Sequence, residues 1–297
     1  MRLELGLGVN AFLRLTGMSK GTYYRRRRQA WVGQSFSSSR PRPKREVLRE
    51  PAREIALAFP AHGHRKVWAE LLRRGIPASP STVYRVLKGE GLLLPVKRRR
   101  RKDQDKRLGP EPPRPERVGL VLSADGTLWR LVESKGASSL GGYRILNVIE
   151  EESRYLLASV AGRVGEGETA RLAKEALERA REEARRLGLP TQGLLLHTDR
   201  GSAFQSEVFR GYLQNHRIGQ VFAPVGRPQG IGRIERLHRS LKEEKLMREE
   251  IRDPLELQRA LDEYRQFYNT RRLHQALGYR TPLLVVESKR AKVVSFS

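Results

Sequence analysis

Aspartate is rare in this chain, and two of its aspartates stand where they could hold a metal ion. Asp occupies only six positions, and between Asp105 and Asp253 the sequence contains just Asp125 and Asp199. Each of these two follows a short apolar run that is typical of a buried strand. Short carboxylates at strand ends suit Mg²⁺, which demands near-octahedral oxygen ligands. The pattern predicts a carboxylate metal site, although either Asp alone could also be a solvated loop residue.

The segments around these aspartates alternate between strand-like and helical patterns, which indicates an α/β fold. Val118–Ala124 would deliver Asp125, and Leu194–Leu196 would lead to Asp199, each at the carboxyl end of a strand. A third acid, Glu235, falls in the last predicted helix. The remaining predicted elements are strands at Tyr143–Ile149, Arg154–Ala161 and Ile218–Phe222 and helices at Glu168–Leu187, Phe204–Asn215 and Gly230–Met247.

The net charge of +26 is concentrated towards the N-terminus. Residues 1–117 carry +19 of it, and they include the basic runs Arg25–Arg28 and Lys97–Lys102. A solvated basic surface is the simplest explanation of a charge excess. An excess concentrated this strongly in one part of the chain, however, favours an N-terminal region that binds DNA or RNA.

Composition also excludes several classes of protein. The chain has no cysteine, so it can form no disulfide, no Cys-ligated zinc site and no thiol nucleophile. No apolar run approaches the roughly 18 residues of a membrane helix. We therefore expect a cytoplasmic, nucleoid-associated protein without a membrane partner.

Three short helices are predicted ahead of the α/β segment. Apolar spacing predicts helices at Arg45–Leu57 and Arg65–Arg74, and a third begins at an N-cap Ser79 followed by Pro80. A tight turn before a polar last helix is typical of a helix-turn-helix, although a helical hairpin that only packs against the rest is the alternative. The residues of this last helix that suit phosphates and base edges are Ser81, Thr82, Tyr84, Arg85 and Lys88.

A weaker copy of this unit is predicted in residues 1–33, after a capping Ser19. Its candidate DNA contacts are Lys20, Tyr23, Tyr24 and Arg25. Ser- and Pro-rich composition marks a linker at residues 34–44, and a basic, Pro-rich linker follows at 97–117. The predicted domains are thus the small unit 1–33, a helix-turn-helix domain 45–96, an α/β core 118–250, and a helical extension and tail 251–297.

Five motifs together resemble a known family. They are SADGT around Asp125, HTDRGSAF around Asp199, GRPQGIGRIERLHRSLKEE around Glu235, FYNTRRLHQALGYRTP at the end, and HGHRKVWAELLRRGIPASPSTVYRVLK in the helical unit. With 35 residues between Asp199 and Glu235, the chain is similar to the Asp, Asp, Glu transposases of bacterial insertion sequences, whose catalytic core resembles retroviral integrase. The resemblance runs from about Val47 to Pro282.

The resemblance implies a fold and an activity. Residues 118–250 would form an RNase H-like core behind all-α helix-turn-helix units. Asp125, Asp199 and Glu235 would be the catalytic residues and the ligands of two Mg²⁺ ions, with Mn²⁺ as a substitute. Water would cut at the end of the element, and the freed 3′ hydroxyl would attack a phosphodiester of the target DNA.

The resemblance also implies partners. The protein would bind double-stranded DNA, both element ends and target, as at least a dimer on the DNA. A small DNA-binding protein encoded upstream would be a further partner. On the predicted helix of Glu235, His238, Arg239 and Lys242 lie on the side of the carboxylate and could hold DNA phosphates, or they could form a solvated helix face.

Two departures from the family pattern are visible. Glu151 and Glu152 precede Ser153 and Arg154, where the family often has Asp; this position is not one of the three metal ligands. The zinc-binding His and Cys domain of retroviral integrases is absent, since the chain has no Cys.

Two other classes of function stay open from the sequence. A catalytically silent DNA-binding regulator would need the helix-turn-helix but not all three carboxylates. An RNase H-type nuclease without strand transfer would need the carboxylates but little specific DNA binding. A zinc hydrolase is disfavoured because the histidines lack HExxH-like spacing, and His62 and His64 are interpreted as loop residues.

Overall fold

A computed structural model describes residues 45–94, 119–131, 142–164, 168–223 and 232–294, together with Thr16, Met18, Ser19 and Thr22. The predicted DNA contacts Lys20, Tyr23, Tyr24 and Arg25 and the linkers 34–44 and 97–117 lie outside the described residues. The chain divides into two compact units, Met1–Val96 with Leu273–Arg280, and Lys97–Arg272 with Thr281–Ser297.

The first unit contains the three predicted helices. They are α1 (Arg45–Ala58), α2 (His64–Arg73) and α3 (Pro80–Gly89). One buried apolar cluster holds them together, with Ile55, Leu71 and Leu87 fully enclosed. Ser79 caps α3 as predicted, because its hydroxyl accepts the Thr82 backbone N–H at 3.1 Å and Pro80 fills the first helical position. His64, predicted in a loop, is instead the first residue of α2.

The second unit is built on one five-stranded sheet. Its strands are β1 (Val121–Trp129), β2 (Tyr143–Glu150), β3 (Leu156–Arg163), β4 (Leu195–Thr198) and β5 (Gly219–Phe222). The spatial order is β3-β2-β1-β4-β5. The first three strands are antiparallel neighbours, whereas β4 runs parallel to β1 and β5 parallel to β4. The predicted α/β class is therefore confirmed.

Helices follow the strands in the order that the sequence predicts. They are α4 (Glu168–Arg186), α5 (Ser202–Gln205), α6 (Glu207–Asn215), α7 (Gly232–Glu244), α8 (Pro254–Thr270) and α9 (Pro282–Val294), with short 3₁₀ turns at Leu246–Arg248 and Gln275–Leu277. Among the described helices, none is long and apolar enough to cross a membrane.

Alternate residues of β1 belong to the two faces of the sheet. Leu122 and Ala124 join the apolar core that includes α4, whereas Ile234 and Leu237 of α7 join a second core with residues of β2. Because side chains alternate along a strand, Asp125 lies on the face opposite to Leu122 and Ala124. This is the face that α7 covers.

Three predicted boundaries are wrong in the structure. β1 does not end at Asp125 but continues to Trp129, since β2 pairs with it as far as Trp129↔Tyr143. The helix predicted at Phe204–Asn215 is broken at Ser206, whose extended backbone ends α5 and whose hydroxyl caps α6 by accepting the Phe209 N–H at 3.2 Å. The last predicted helix, Gly230–Met247, ends at Glu244, and a 3₁₀ turn follows.

Candidate active site

Asp125 lies in the middle of β1, on the face that α7 covers. Its side chain is 14% exposed. The backbone N–H of Gly126 donates to its Oδ1 at 2.8 Å. Across the β1–β2 ladder it faces Asn147, which is fully buried and whose amide atoms have no hydrogen-bond partner within the described ranges. The carboxylate is thus held at a rigid position by the centre of the sheet.

Asp199 follows β4 directly, as predicted. β4 pairs in parallel with β1 in the register Ser123↔His197, so Asp125 and Asp199 each come two residues after a pair of facing residues on adjacent strands. The Gly201 N–H donates to Asp199 Oδ1 at 2.9 Å. A Cβ at position 201 would lie 2.9 Å from the same oxygen, so glycine there leaves room for the carboxylate.

Glu235 is in the first turn of α7, and its side chain is exposed. The neighbouring Ile234 and Leu237 are buried and fix the helix against the sheet. This anchoring leaves the carboxylate free to face solvent at the edge of the site.

The charges of both other candidate carboxylates act on Asp125. Burial is the main reason that the pKa of Asp125 rises to about 6, and the negative charges of Asp199 and Glu235 raise it further. The Gly126 hydrogen bond and the charge of Arg144 act in the opposite direction. A buried acid with two like charges beside it carries an unfavourable charge at neutral pH.

The donor set fits a hard divalent cation. All three groups are carboxylates, which Mg²⁺ and Mn²⁺ prefer, and the repulsion at Asp125 is what a bound cation would relieve. Within the part of the chain that the structure describes, no group of three or more acidic or histidine side chains is arranged so that it could hold a metal ion. The three carboxylates have the chemistry of a cation site, but they come from three separate elements, and their role as metal ligands stays a prediction.

His238 is buried next to Asp125. It is 8% exposed, and its Nδ1 lies 3.7 Å from Asp125 Oδ2. Burial, with a smaller contribution from the charge of Lys242, lowers its pKa to about 4, so the ring is neutral at pH 7. In this structure the ring therefore contacts Asp125, and the phosphate contact of His238 stays a prediction. Arg239 is exposed and Lys242 half-buried, and their phosphate contacts stay predictions.

Glu151 is a buried carboxylate that contacts residues of β1, β4 and α7. It accepts a hydrogen bond from the Ser123 hydroxyl at 2.5 Å, its Oε1 is 3.1 Å from His197 Nδ1, and Arg233 pairs with its Oε2. Burial alone would raise its pKa, but the contacts with His197, Ser123 and Arg233 outweigh burial and lower it. Glu151 is thus an ionised group at the centre of a polar cluster.

None of the partners of Glu151 was predicted from the sequence. Ser123, His197 and Arg233 each stand two residues before one of the predicted catalytic carboxylates. For Ser123 the period of two predicts the same face of the strand as Asp125, and this signal was available from the sequence. The contribution of Arg233 depends on how α7 packs, which the local sequence does not reveal.

The polar face of α3 is accessible. Ser81, Tyr84, Arg85 and Lys88 are exposed and Thr82 is half-buried, while Val83, Val86 and Leu87 face the core. The hydroxyls of Ser81 and Thr82 lie 3.0 and 2.7 Å from the hydroxyl of Ser79, so they belong to the helix cap. In the described part of the chain, Arg85 and Lys88 pair with no carboxylate. Their contacts with DNA stay predictions.

Two family models match the chain. Residues 43–101 match an HTH-like domain, and residues 216–282 match an integrase core domain. The first range contains α1 to α3, and the second contains Glu235. The helix-turn-helix character of the helical unit and the RNase H-like class of the α/β core are confirmed by these matches together with the strand order.

Named relatives agree with these domains. A 31.7 kDa protein of insertion element IS407 from Burkholderia multivorans is 27% identical over 98% of this chain and 95% of its own length. The transposase of insertion sequence IS904 from Lactococcus lactis is 28% identical over 31% of this chain and 37% of its own. A protein of Spiroplasma virus SpV1-C74 named as an integrase is 30% identical over 31% of this chain. The chain matches only 29% of the length of that viral relative.

Solved structures give a weaker likeness. A chain of the simian T-cell lymphotropic virus intasome, solved with PP2A regulatory subunit B56 gamma, is 18% identical with a TM-score of 0.49, covering 80% of this chain and 74% of that one. The catalytic core domain of HTLV-2 integrase in complex with magnesium is 15% identical with a TM-score of 0.41, covering 58% of this chain and 99% of that one. The family matches and named relatives confirm the resemblance to insertion-sequence transposases with an integrase-type core.

Proposed function

We propose that the protein is a transposase that binds the ends of an insertion sequence, cuts the DNA there and joins it to target DNA. The observation that carries the proposal is the placement of the three acids: Asp125 in β1, Asp199 directly after the parallel strand β4, and Glu235 at the start of α7. Burial is the main reason that the pKa of Asp125 rises, and the charges of Asp199 and Glu235 add to it. The enzyme class is a polynucleotidyl transferase, which the integrase core match supports.

Asp125, Asp199 and Glu235 would hold two Mg²⁺ ions, with Mn²⁺ as a substitute. When bound, such a pair of cations supports in-line displacement at phosphorus by acting on both the attacking and the leaving oxygen. The carboxylates contribute rigid positions: Asp125 is fixed by the sheet and by Gly126, and Asp199 by Gly201. No covalent intermediate on the protein is required, which agrees with a site built from carboxylates.

Two surfaces would hold the DNA. The exposed Arg85 and Lys88 of α3 suit phosphates and base edges of the element end, since a recognition helix reads the major groove. Arg239 and Lys242, one and two turns beyond Glu235 on α7, would hold phosphates near the carboxylates. Because an element has two ends, at least two copies would act together on the DNA, and a small protein encoded upstream would assist in end binding.

The test compares three variants of the full chain on duplexes that carry the inverted repeats flanking the gene. Asp199→Asn and Glu235→Gln should bind these ends as the wild type does but lose detectable cleavage and joining in Mg²⁺ and Mn²⁺. Glu244→Gln is the matched control, because Glu244 lies on the same helix but forms an ion pair with Arg272 at 2.6 Å. Cleavage that survives in Asp199→Asn or Glu235→Gln would contradict the metal assignment. Binding by the wild type without any cleavage would point to a regulator.

A further inference from the structure

We propose that Glu151 is a positioning residue that ties together the three elements carrying the catalytic carboxylates. The inference rests on the proposed function. The observation is that a single buried carboxylate contacts Ser123 of β1, His197 of β4 and Arg233 of α7.

Glu151 is held in one position by contacts with all three elements. Its side chain is 7% exposed, and each carboxylate oxygen is used: Oε1 by Ser123 and His197, and Oε2 by Arg233. Its backbone N–H also donates to the Val121 carbonyl at 3.0 Å, which fixes the residue to the first position of β1. The carboxylate therefore has no freedom to move without disturbing its partners.

The partners of Glu151 are placed where they control the site. Ser123 lies two residues before Asp125, and His197 lies two residues before Asp199. Ser123 and Asp125 are both in β1 and share one face of it, whereas His197 lies in β4 one residue before the strand ends and Asp199 follows directly after that end. Arg233 is in the same first turn of α7 as Glu235, and its ion pair with Glu151 fixes the start of that helix.

A neighbouring acid shows what a purely structural carboxylate looks like in this protein. Glu150 is fully buried and accepts hydrogen bonds from the backbone N–H groups of Gly119, Glu152 and Ser153. The bonds from Glu152 and Ser153 close the turn after β2, and the bond from Gly119 comes from the segment just before β1; none of these bonds comes from β4 or α7. The contacts of Glu151 differ because each goes to a separate element of the site.

The experiment measures metal binding as well as activity. In the full-length chain, Glu151→Gln keeps the shape of the side chain but removes the charge that pairs with Arg233. We expect Mn²⁺ binding, measured by electron paramagnetic resonance, to weaken by about 10-fold or more, the range typical of residues that orient metal ligands. The Mg²⁺ concentration for half-maximal cleavage should rise equally, while gel-shift binding of end DNA stays unchanged.

The matched control is Glu244→Gln, which breaks a buried ion pair on the same helix away from the carboxylates. It should lower the melting temperature but leave Mn²⁺ affinity as in the wild type. If Glu151→Gln behaves like this control, with lower melting temperature and unchanged Mn²⁺ affinity, the positioning role is wrong and Glu151 is structural only.

A second variant guards against misfolding of the first. Arg233 is 34% exposed, so Arg233→Gln removes the link to α7 with little effect on packing. It should weaken Mn²⁺ binding by a few-fold, and the double variant Glu151→Gln with Arg233→Gln should be no weaker than Glu151→Gln alone, because both act through one contact. Independent, multiplying effects would overturn the proposal, as would normal Mn²⁺ affinity in Arg233→Gln.

Failure of the two proposals would look different. If the wild type itself binds no Mn²⁺ and cuts no end DNA, the proposed function fails and this inference fails with it. If the wild type binds Mn²⁺, Asp199→Asn does not, and Glu151→Gln binds like the wild type, only the positioning role of Glu151 is overturned.

Discussion

Replacing Asp125 with Asn should make the metal-free α/β core more stable at neutral pH while removing cleavage. Asp125 is an acid in an unfavourable place, because burial and the charges of Asp199 and Glu235 raise its pKa from 3.8 to about 6. Asn has nearly the same shape but no charge to bury. The gain in stability and the loss of cleavage would then both result from removing the charge of the Asp125 carboxylate.

The size of the effect follows from the shift of the pKa. One pKa unit corresponds to about 1.4 kcal/mol, so a shift from 3.8 to about 6 costs the folded state about 3 kcal/mol once the group is ionised in both states. Since the folded state binds the proton more tightly, stability falls as pH rises from 3.8 to about 6 and then levels off. The penalty is absent below this window and complete above it.

The assay is urea unfolding of the full chain in EDTA, with hydrogen exchange of peptides from Val121–Trp129 as a probe specific to the core. The stability of Asp125→Asn relative to wild type should increase by about 2 kcal/mol between about pH 4.5 and about pH 8, where the penalty is partial and complete respectively. Taking the difference between the two proteins cancels the other titrating groups.

Asp262→Asn is the matched control, since it makes the same chemical change at an exposed position. Its pH dependence relative to wild type is the baseline for the chemical change itself. If the pH dependence of Asp125→Asn does not exceed this baseline, the surroundings of Asp125 do not disfavour its charge and the electrostatic argument for the site is refuted.

Two further predictions concern the surroundings of the carboxylates and the DNA. Gly201→Ala would place a Cβ 2.9 Å from Asp199 Oδ1 and should weaken Mn²⁺ binding and cleavage at least several-fold. Gly211→Ala is the control, because the space around position 211 is open, and it should leave Mn²⁺ binding and cleavage unchanged. Equal Mn²⁺ affinity in the two variants would contradict the prediction for Gly201. The double variant Arg85→Ala with Lys88→Ala should weaken binding to the element ends by about 1 to 3 kcal/mol if one of the two residues makes a bidentate contact with a base. If they contact only phosphates, the slope of the logarithm of the binding constant against the logarithm of the salt concentration should shrink by about one unit per lost contact. Gel shifts at several salt concentrations distinguish these outcomes, and unchanged binding would move recognition away from α3.

The sequence predicted the order and type of the elements well, because apolar spacing determined them. The helices of the first unit and the strands β2 to β5 lie within a few residues of the predicted ranges. The errors occur where long-range contacts decide: β1 continues past Asp125 because β2 pairs with it, and Ser206 breaks a helix by capping the next one. Local periodicity contains neither kind of information.

The same distinction between local sequence and long-range contacts applies to the candidate site. Asp125, Asp199 and Glu235 are assigned from motifs and spacing that resemble those of a family, and their catalytic role stays a prediction. The cluster around Glu151 could not be predicted, because it joins residues from four separate segments that only the sheet order brings together. The contact of His238 with Asp125 was not predicted either, since it depends on how α7 packs against β1.

The charge of the chain and the charge of the site have opposite signs, and this has a consequence for DNA binding. Most of the +26 lies before residue 118 and would attract DNA, whereas the site presents three carboxylates that repel a phosphate. A phosphodiester could approach Asp125 closely only after that negative charge is neutralised. A divalent cation would therefore be needed for docking of the scissile phosphate as well as for its displacement, while the helix-turn-helix could hold the element end without it. In EDTA we therefore expect the protein to bind end DNA while the phosphate at the cleavage position does not contact the carboxylates.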